Sequence, residues 1–239
     1  MIEGGGILTG PEIRRALFAG DIVIEPMDEE NLQDGTLVNP ASYDLTLGNK
    51  VAVYSNVMQV VFGNAIQARQ AYKDGVPEPL DSVIYDAVVR SKGSCLYAHN
   101  ERWLDSKRKN STWEFTIDKE AGWLLKPGIG YLMHTVERVT TDRYIPVLDG
   151  KSSIGRLFVT AHVTAGYGDP GFDGQYTLEV VSTHPVVVYP GMRFCQMRFH
   201  TAVGEVLNYK HRGHYTGQAS MGPVPSMSWR QFEEQNGKG

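Results

Sequence analysis

Short apolar runs separated by turn residues fill the chain from Trp123 onward. Runs such as LFVTAHVTA, YTLEVVST and RFCQMRFH are rich in Val, Ile, Thr, Tyr and Phe, and Gly, Pro and Asp separate them at close intervals. This spacing is typical of a compact β-barrel or β-sandwich. The pattern therefore predicts that this part of the chain is mainly β.

The N-terminal region predicts one short helix and two strands. The sequence TGPE at 9–12 provides a capping threonine, a first-turn proline and a glutamate that can complete a capping box, and Gly20 ends the helix. The run IVIEP at 22–26 predicts a brief strand that its proline closes. ASYDLTLG at 41–48 alternates apolar and polar residues, as a half-buried strand does.

Residues 51–122 show weak periodicity and many charges. The stretch contains VMQVVF, a helical pattern at 65–75 and the polar segment SKRKNST at 106–112. We interpret it as a loop-rich, partly helical insertion. The segment 208–239 carries Gly, Ser and Pro without periodicity, which fits either a disordered end or a mobile lid over a site.

Charge and cysteine content exclude several classes of protein. The net charge of −4 and the pI near 6.0 argue against broad binding to a nucleic-acid backbone, which needs a basic face. Cys95 and Cys195 lack the spacing of a disulfide framework or a zinc knuckle. The H-x-E at 99–101 has no P-C-x-x-C after it, so the zinc-deaminase signature is not met.

Targeting signals are also not expected. The glycine-rich, acidic N-terminus does not have the pattern of a signal peptide, and no apolar run approaches the ~18 residues of a membrane span. We therefore expect a cytoplasmic protein that binds neither nucleic acid nor membrane.

The segment DGKSSIGR at 149–156 gathers hydrogen-bond donors in few positions. Lys151, Ser152, Ser153 and Arg156 supply these donors, and the glycines allow close approach of the backbone. Phosphate oxygens accept such donors, so the segment is a candidate phosphate site. A turn with solvated polar side chains explains it equally well. The P-loop pattern G-x-x-x-x-G-K-[ST] is absent.

Two acidic residues interrupt the β pattern. Asp169 lies in the turn GYGDPGFDGQ at 166–175, which fits either a hairpin with solvated aspartates or a turn that lets a ligand reach the backbone. Glu179 lies in YTLEVVS, on the face opposite Leu178 and Val180. A salt-bridged surface glutamate and a partly buried general acid/base both fit this position.

The motifs DGKSSIGR, HVTA, DPGF and LEV follow one another in an order typical of one enzyme family. Together they resemble the core of the dCTP deaminase branch of the dUTPase superfamily. NPASYDLTLGNK, LLKPGIGYLMHTVERVTT and PVVVYPGMRFCQMRF are similar to its flanking strands, and GHYTGQAS is similar to its K-Y-x-x-Q lid. The resemblance covers roughly residues 7–50 and 123–220.

The resemblance implies a fold, an assembly and a reaction. The fold is a mainly β, dUTPase-like distorted β-barrel of the β-clip type, in one domain over 1–239 with the insertion at 51–122 and a C-terminal lid at 208–239. The assembly is a homotrimer with sites between subunits. The reaction is zinc-independent hydrolysis of dCTP to dUTP and ammonia, in pyrimidine deoxynucleotide metabolism. The nucleotide binds as its Mg²⁺ complex, so that no side chain holds the metal.

The same resemblance assigns roles to individual residues. Glu179 matches the catalytic glutamate, which takes a proton from the water that attacks C4 of cytosine. Ser152 and Arg156 match residues that hold this water and stabilise the transition state. The matched substrate-binding positions are Lys151 and Ser153 for phosphates, the Ala165 carbonyl for the base, Asp169 and Phe172 for the sugar, and Tyr209, His214, Tyr215 and Gln218 on the closing tail.

Three positions depart from the family pattern. Lys151 replaces the usual arginine and keeps the charge without the fork geometry. His214 stands where lysine is common, so this contact is expected to depend on pH. GYG at 166–168 replaces a bulkier, usually basic stretch near the base, which would admit a larger or modified pyrimidine.

Other functions stay open. A dUTPase would use Asp169 to activate water against the α-phosphate, and a bifunctional enzyme would use both Asp169 and Glu179. Typical dUTPases lack a glutamate at the Glu179 position, so the sequence favours deamination. A nucleotide-sensing or protein-binding module without turnover is the third alternative, and the intact set of Ser152, Arg156 and Glu179 argues against it.

Overall fold

The structure is a computed structural model of the chain. It describes residues 5–27, 37–54, 58–60, 96–98, 103–162, 165–209, 215 and 222–236. Most of the predicted insertion at 51–122, including the helical pattern at 65–75, lies outside these residues. Two predicted site residues, His214 and Gln218, also lie outside them.

Helix α1 (Gly10–Ala19) lies where the sequence predicts it, but its expected capping box does not form. Thr9 makes no side-chain capping bond, and the Glu12 carboxylate accepts a hydrogen bond from Arg15 at 2.6 Å instead. A charge-assisted pair of this kind is stronger than a bond to a neutral amide. Gly20 ends the helix as predicted, with a φ of 75°.

Strands make up most of the described structure. In chain order they are β1 (Val23–Glu25), β2 (Tyr43–Thr46), β3 (Lys50–Tyr54), β4 (Met58–Val60), β5 (Leu96–Ala98), β6 (Thr112–Thr116), β7 (Trp123–Leu125), β8 (Tyr131–Thr140), β9 (Tyr144–Gly150), β10 (Val159–Thr160), β11 (Asp173–Ser182), β12 (Val186–Val188) and β13 (Arg193–Thr201). One helical turn, α2 (Ser152–Gly155), follows β9, and helix α3 (Arg230–Asn236) lies near the C-terminus.

The strands form antiparallel sheets. The largest sheet has the order β10-β11-β8-β3-β6, and β1 also pairs with β8. A second sheet has the order β2-β13-β9, and two-stranded ribbons join β12 to β7 and β4 to β5. The long strands β8 and β13 lie at the centres of the two larger sheets. Each of them pairs with other strands on both of its sides.

The hydrophobic core lies between these sheets. Its largest fully buried side chains include Tyr43, Tyr131, Phe194, Phe199 and Met133. They come from β2, β8 and β13, so the core forms only when strands distant in sequence meet.

The prediction of a mainly β, distorted fold is confirmed. The pairing of β11 with β8 shifts register between Gln175 and Thr177, and that of β13 with β2 shifts between Arg193 and Cys195. Such irregularities bend a strand and increase its twist. Within the residues that the structure describes, the sheets do not join into one closed barrel. None of the described helices is long and apolar enough to span a membrane.

Candidate active site

A cavity of about 390 Å³ lies against one face of β11. Its lining includes six residues that the family resemblance assigns to the site: Ala165, Asp169, Phe172, Glu179, Tyr209 and Tyr215. The fold therefore brings together side chains separated by up to fifty positions in the sequence. The cavity also has lining residues that the sequence did not indicate, among them Tyr54, His162, Gln175, Tyr176, Thr177, Val224 and Ser226.

The alternation of side chains along β11 places Glu179 in this cavity. Leu178 and Val180 are fully buried in the core, whereas Thr177 and Glu179 project from the other face into the cavity. The side chain of Glu179 is 40% exposed. Of the two interpretations that the sequence left open, this geometry fits the partly buried carboxylate, within reach of both water and a ligand.

His162 lies beside Glu179 in the cavity. Its Nδ1 lies 4.0 Å from Oε2 of Glu179, and its side chain is only 11% exposed. Both ring nitrogens are buried and have no hydrogen-bond partner among the described residues. Buried polar atoms without partners cost free energy, so they often mark sites that a ligand or water completes. The motif HVTA contains this histidine, but nothing in its spacing showed that the ring would face Glu179.

Aromatic rings also line the cavity. The ring centroid of Phe172 lies 4.9 Å from that of Tyr176 and 6.0 Å from that of Tyr209. Burial raises the pKa of Tyr176, and the charge of Asp169 raises it further. Tyr176 therefore stays protonated at neutral pH, and the predicted sugar-binding pair of Asp169 and Phe172 lies within an apolar, aromatic wall.

The glycine-rich turn before Asp169 packs on β9. A Cβ at Gly166 would lie 2.5 Å from the Leu148 carbonyl oxygen, and one at Gly168 would lie 2.5 Å from the Tyr176 hydroxyl. The Leu148 N–H donates to the Gly166 carbonyl at 2.7 Å. The glycines at these positions therefore allow close contact with the protein's own strand and with Tyr176.

The C-terminal segment 222–228 forms part of the cavity wall. Its backbone N–H groups donate to three side-chain hydroxyls: Val224 to Thr177 at 3.0 Å, Ser226 to Tyr54 at 2.9 Å and Met227 to Tyr215 at 2.9 Å. Of the two interpretations of the tail, this part fits a cover over a site.

The predicted phosphate cluster at α2 does not line this cavity. Ser152, Ser153 and Arg156 are exposed at the end of β9. The Nζ of Lys151 forms an ion pair with Oδ2 of the buried Asp44 at 2.5 Å. A single chain thus brings Glu179 and Asp169 into one cavity but leaves Ser152 and Arg156 outside it.

Comparisons with known proteins agree with these motifs. A family model described as dCTP deaminase-like matches residues 85–202. A curated protein from Cytophaga hutchinsonii, named dCTP deaminase, dUMP-forming, is 37% identical over 228 residues, which cover 95% of this chain and 99% of that protein. This chain belongs to the dCTP deaminase family.

Two further comparisons with proteins named as dCTP deaminases differ in strength. A protein of the same name from Leptospira biflexa is also 37% identical, again over 95% of this chain and 99% of its own length. A crystal structure of 2'-deoxycytidine 5'-triphosphate deaminase from Agrobacterium tumefaciens matches with a TM-score of 0.49 and 21% identity, over 83% of this chain and 49% of that one. The family assignment depends on the curated relatives, because this structural likeness is weak.

Proposed function

We propose that this protein deaminates dCTP and then converts the resulting dUTP to dUMP and pyrophosphate. The observation that supports both steps is that Glu179 and Asp169 line one cavity. The relatives that cover nearly the whole chain are named dUMP-forming. They favour the bifunctional alternative over dUTP as the end product, which the sequence alone puts first.

In the first step Glu179 acts as the general base. It takes a proton from a water molecule whose oxygen attacks C4 of cytosine, and the tetrahedral intermediate carries both the new hydroxyl and the amino group. Glu179 gives this proton to the ring nitrogen N3, then takes a second proton from the new hydroxyl and passes it to the amino group. The C4–N bond breaks, ammonia leaves, and C4 keeps the oxygen as a carbonyl. The position of its carboxylate in the cavity suits this exchange, because a general base must lie within reach of both the attacking water and the substrate.

In the second step Asp169 acts on a second water molecule. That water attacks the α-phosphorus of dUTP, the bond to the bridging oxygen of the β-phosphate breaks, and dUMP and pyrophosphate leave. Asp169 lines the same cavity as Glu179, as do the aromatic rings of Phe172 and Tyr209. In this proposal one bound nucleotide presents its base to Glu179 and its sugar and phosphates to Asp169.

We further propose that Mg²⁺ enters as part of the nucleotide and that deamination uses no zinc. The proposal follows the sequence, which lacks the zinc-deaminase signature. Magnesium would neutralise charge on the triphosphate, where cationic donors of the protein also act.

The assembly is proposed to be a homotrimer in which α2 of one subunit completes the cavity of another. Ser152 and Arg156 are exposed and lie outside the cavity that holds Glu179. If they hold the attacking water, a second copy of the chain must supply them.

The test is incubation of purified protein with dCTP and Mg²⁺ while ammonia, pyrophosphate and nucleotides are measured. We expect Glu179→Gln to lower ammonia release by about 10²–10⁴-fold, as loss of a general base does, and to spare pyrophosphate release from added dUTP. Asp169→Asn should show the reverse. Protein stripped with a chelator should regain both activities with Mg²⁺ alone.

Different outcomes would overturn different parts of the proposal. Release of dUTP without pyrophosphate by the wild-type protein would leave only the deaminase. Turnover of dUTP but not of dCTP would indicate a dUTPase. A requirement for added zinc would exclude the proposed deamination chemistry, and tight binding of dCTP without any product would indicate a nucleotide-binding module.

A further inference from the structure

Tyr54 connects the C-terminal segment 222–228 to the cavity that Glu179 also lines. It is the last residue of β3, and its hydroxyl accepts the Ser226 N–H at 2.9 Å. Thr177 does the same from β11, since its hydroxyl accepts the Val224 N–H at 3.0 Å. All four residues line the cavity.

These two hydroxyls have protons still to donate. A hydroxyl has one donor and two acceptor positions, and the tail amides occupy an acceptor position on each. Within the described part of the chain, neither Tyr54 nor Thr177 donates its proton to a protein acceptor. Burial is the main cause that raises the pKa of Tyr54, and the charge of Glu179 contributes to the rise, so Tyr54 remains protonated near this carboxylate.

We propose that Tyr54 is a positioning residue that couples the C-terminal segment 222–228 to nucleotide binding. Its oxygen holds the Ser226 amide in the cavity wall, and its proton is donated to an acceptor on the bound deoxynucleotide. Binding of the nucleotide then polarises the hydroxyl and strengthens its bond to the tail, since linked hydrogen bonds reinforce one another. The nucleotide part of this inference rests on the proposed function, whereas the contact with the tail does not.

Tyr54→Phe removes the hydroxyl and keeps the ring, so it tests the contact directly. Thr177→Val does the same for the second anchor, and Tyr189→Phe is the matched control, because Tyr189 is exposed and does not line the cavity.

The first readout is the rate at which trypsin cleaves after Arg230, two residues beyond the segment, followed by mass spectrometry. Without nucleotide we expect cleavage to rise about three- to tenfold in Tyr54→Phe and Thr177→Val, as loss of one hydrogen bond predicts. Tyr189→Phe should match wild type.

The second readout separates positioning from a general structural role. Tyr54→Phe should raise KM for dCTP about three- to tenfold while kcat stays within about twofold and Tm is unchanged. In Glu179→Gln protein, added dCTP should slow cleavage after Arg230, and this protection should be lost when Tyr54→Phe is combined with it.

Two results would overturn the proposal. One is cleavage and KM in Tyr54→Phe equal to those of wild type, and the other is a fall in Tm and kcat with KM unchanged. If the wild-type protein does not turn over dCTP, the proposed function fails, and the cleavage rates without nucleotide alone decide the role of Tyr54.

Discussion

His134 shows how the burial of a single residue makes the stability of the fold depend on pH. Its Nδ1 lies 2.8 Å from the Thr135 carbonyl oxygen, and the Lys50 N–H donates to its Nε2 at 3.3 Å. This arrangement fits a neutral ring with the proton on Nδ1. Gly48 packs against the ring, since a Cβ there would lie 2.1 Å from Cε1. Burial is the main cause that lowers the pKa of His134 below the ordinary value of 6.5 for histidine.

The lowered pKa predicts a loss of stability in acid. Below pH 6.5 the unfolded chain takes up a proton that folded His134 does not, so its contribution to stability is full above this pH and is lost as pH falls towards the lower folded pKa. We expect the free energy of unfolding to fall between pH 7 and pH 5.5 and this fall to become smaller in His134→Gln. Urea unfolding at each pH measures it.

Glu137 changes the free energy of unfolding with pH in the opposite direction from His134. The two contributions must therefore be measured separately. Burial is the main cause that raises its pKa, although the Thr46 hydroxyl and N–H donate to its carboxylate. Its contribution to stability is therefore present at low pH and is lost as pH rises through the folded pKa. Comparing His134→Gln with wild type at each pH removes this contribution. An unchanged pH dependence in His134→Gln would contradict the assignment.

At the scale of elements, a polar network fixes the end of β9 before α2. The Gln196 side chain of β13 donates to the Gly150 carbonyl at 3.0 Å and accepts from Ser42 at 2.9 Å. Asp44 of β2 is fully buried and pairs with Lys151, and Asn39 donates to its other oxygen at 2.7 Å. The side chain of Lys151 thus points into the fold. This ion pair gives Lys151 a structural role in addition to the phosphate binding that the resemblance implies.

The Asp44–Lys151 pair predicts a strong effect from one substitution and a weak effect from two. Among the described residues, Lys151→Met leaves the buried Asp44 carboxylate with the neutral Asn39 amide and one cation, Arg193, 3.8 Å away. It should destabilise the fold by about 2–4 kcal/mol. Adding Asp44→Asn removes the uncompensated charge and should restore most of that loss. Lys151→Arg, the residue usual in the family, is the control that keeps the pair. Chemical unfolding of five proteins measures the coupling: wild type, Lys151→Met, Asp44→Asn, the double variant and Lys151→Arg. Additive effects of the two single substitutions would show that the two side chains act independently.

Local patterns in the sequence predict the elements well, and the partners of polar groups poorly. The alternation in YTLEVVS places Leu178 in the core and Glu179 in the cavity, as expected, because side chains alternate along any strand. The contact of Tyr54 with Ser226 spans 172 positions, and that of Lys151 with Asp44 spans 107. The periodicity of the sequence does not indicate such pairs, because they form only after strands distant in the chain have packed together. Even the local capping box fails, because Arg15 binds Glu12.

At the scale of the whole molecule, the candidate catalytic groups are divided between two places. Glu179 and Asp169 line the cavity, whereas Ser152 and Arg156 are exposed on and beside α2. Near α2 the chain also exposes Leu157 and Phe158, and Phe158 has a φ of 57°, which is unusual for a residue other than glycine. Exposed apolar side chains beside polar candidate site residues fit a surface that another subunit covers.

A site shared between subunits predicts that two inactive variants restore activity when they assemble together. Arg156→Ala keeps Glu179, and Glu179→Gln keeps Arg156, so a mixed trimer has some sites with both residues intact. In a closed ring of three subunits, every mixed trimer has one site of three in which both residues are intact, so purified mixed trimers should show about a third of the wild-type deaminase activity. Co-expression with two different tags, followed by purification of mixed assemblies and an ammonia assay, measures it.

The control for this experiment is Arg156→Ala assembled with the double variant Arg156→Ala, Glu179→Gln. These mixed trimers contain no intact Arg156, so they should stay inactive even though they carry some intact Glu179. If each subunit instead held a complete site, neither mixture would regain activity, because every chain would carry its own defect. Restored activity in the first mixture alone would therefore establish that α2 of one subunit serves the cavity of another, a relation that a single chain cannot display.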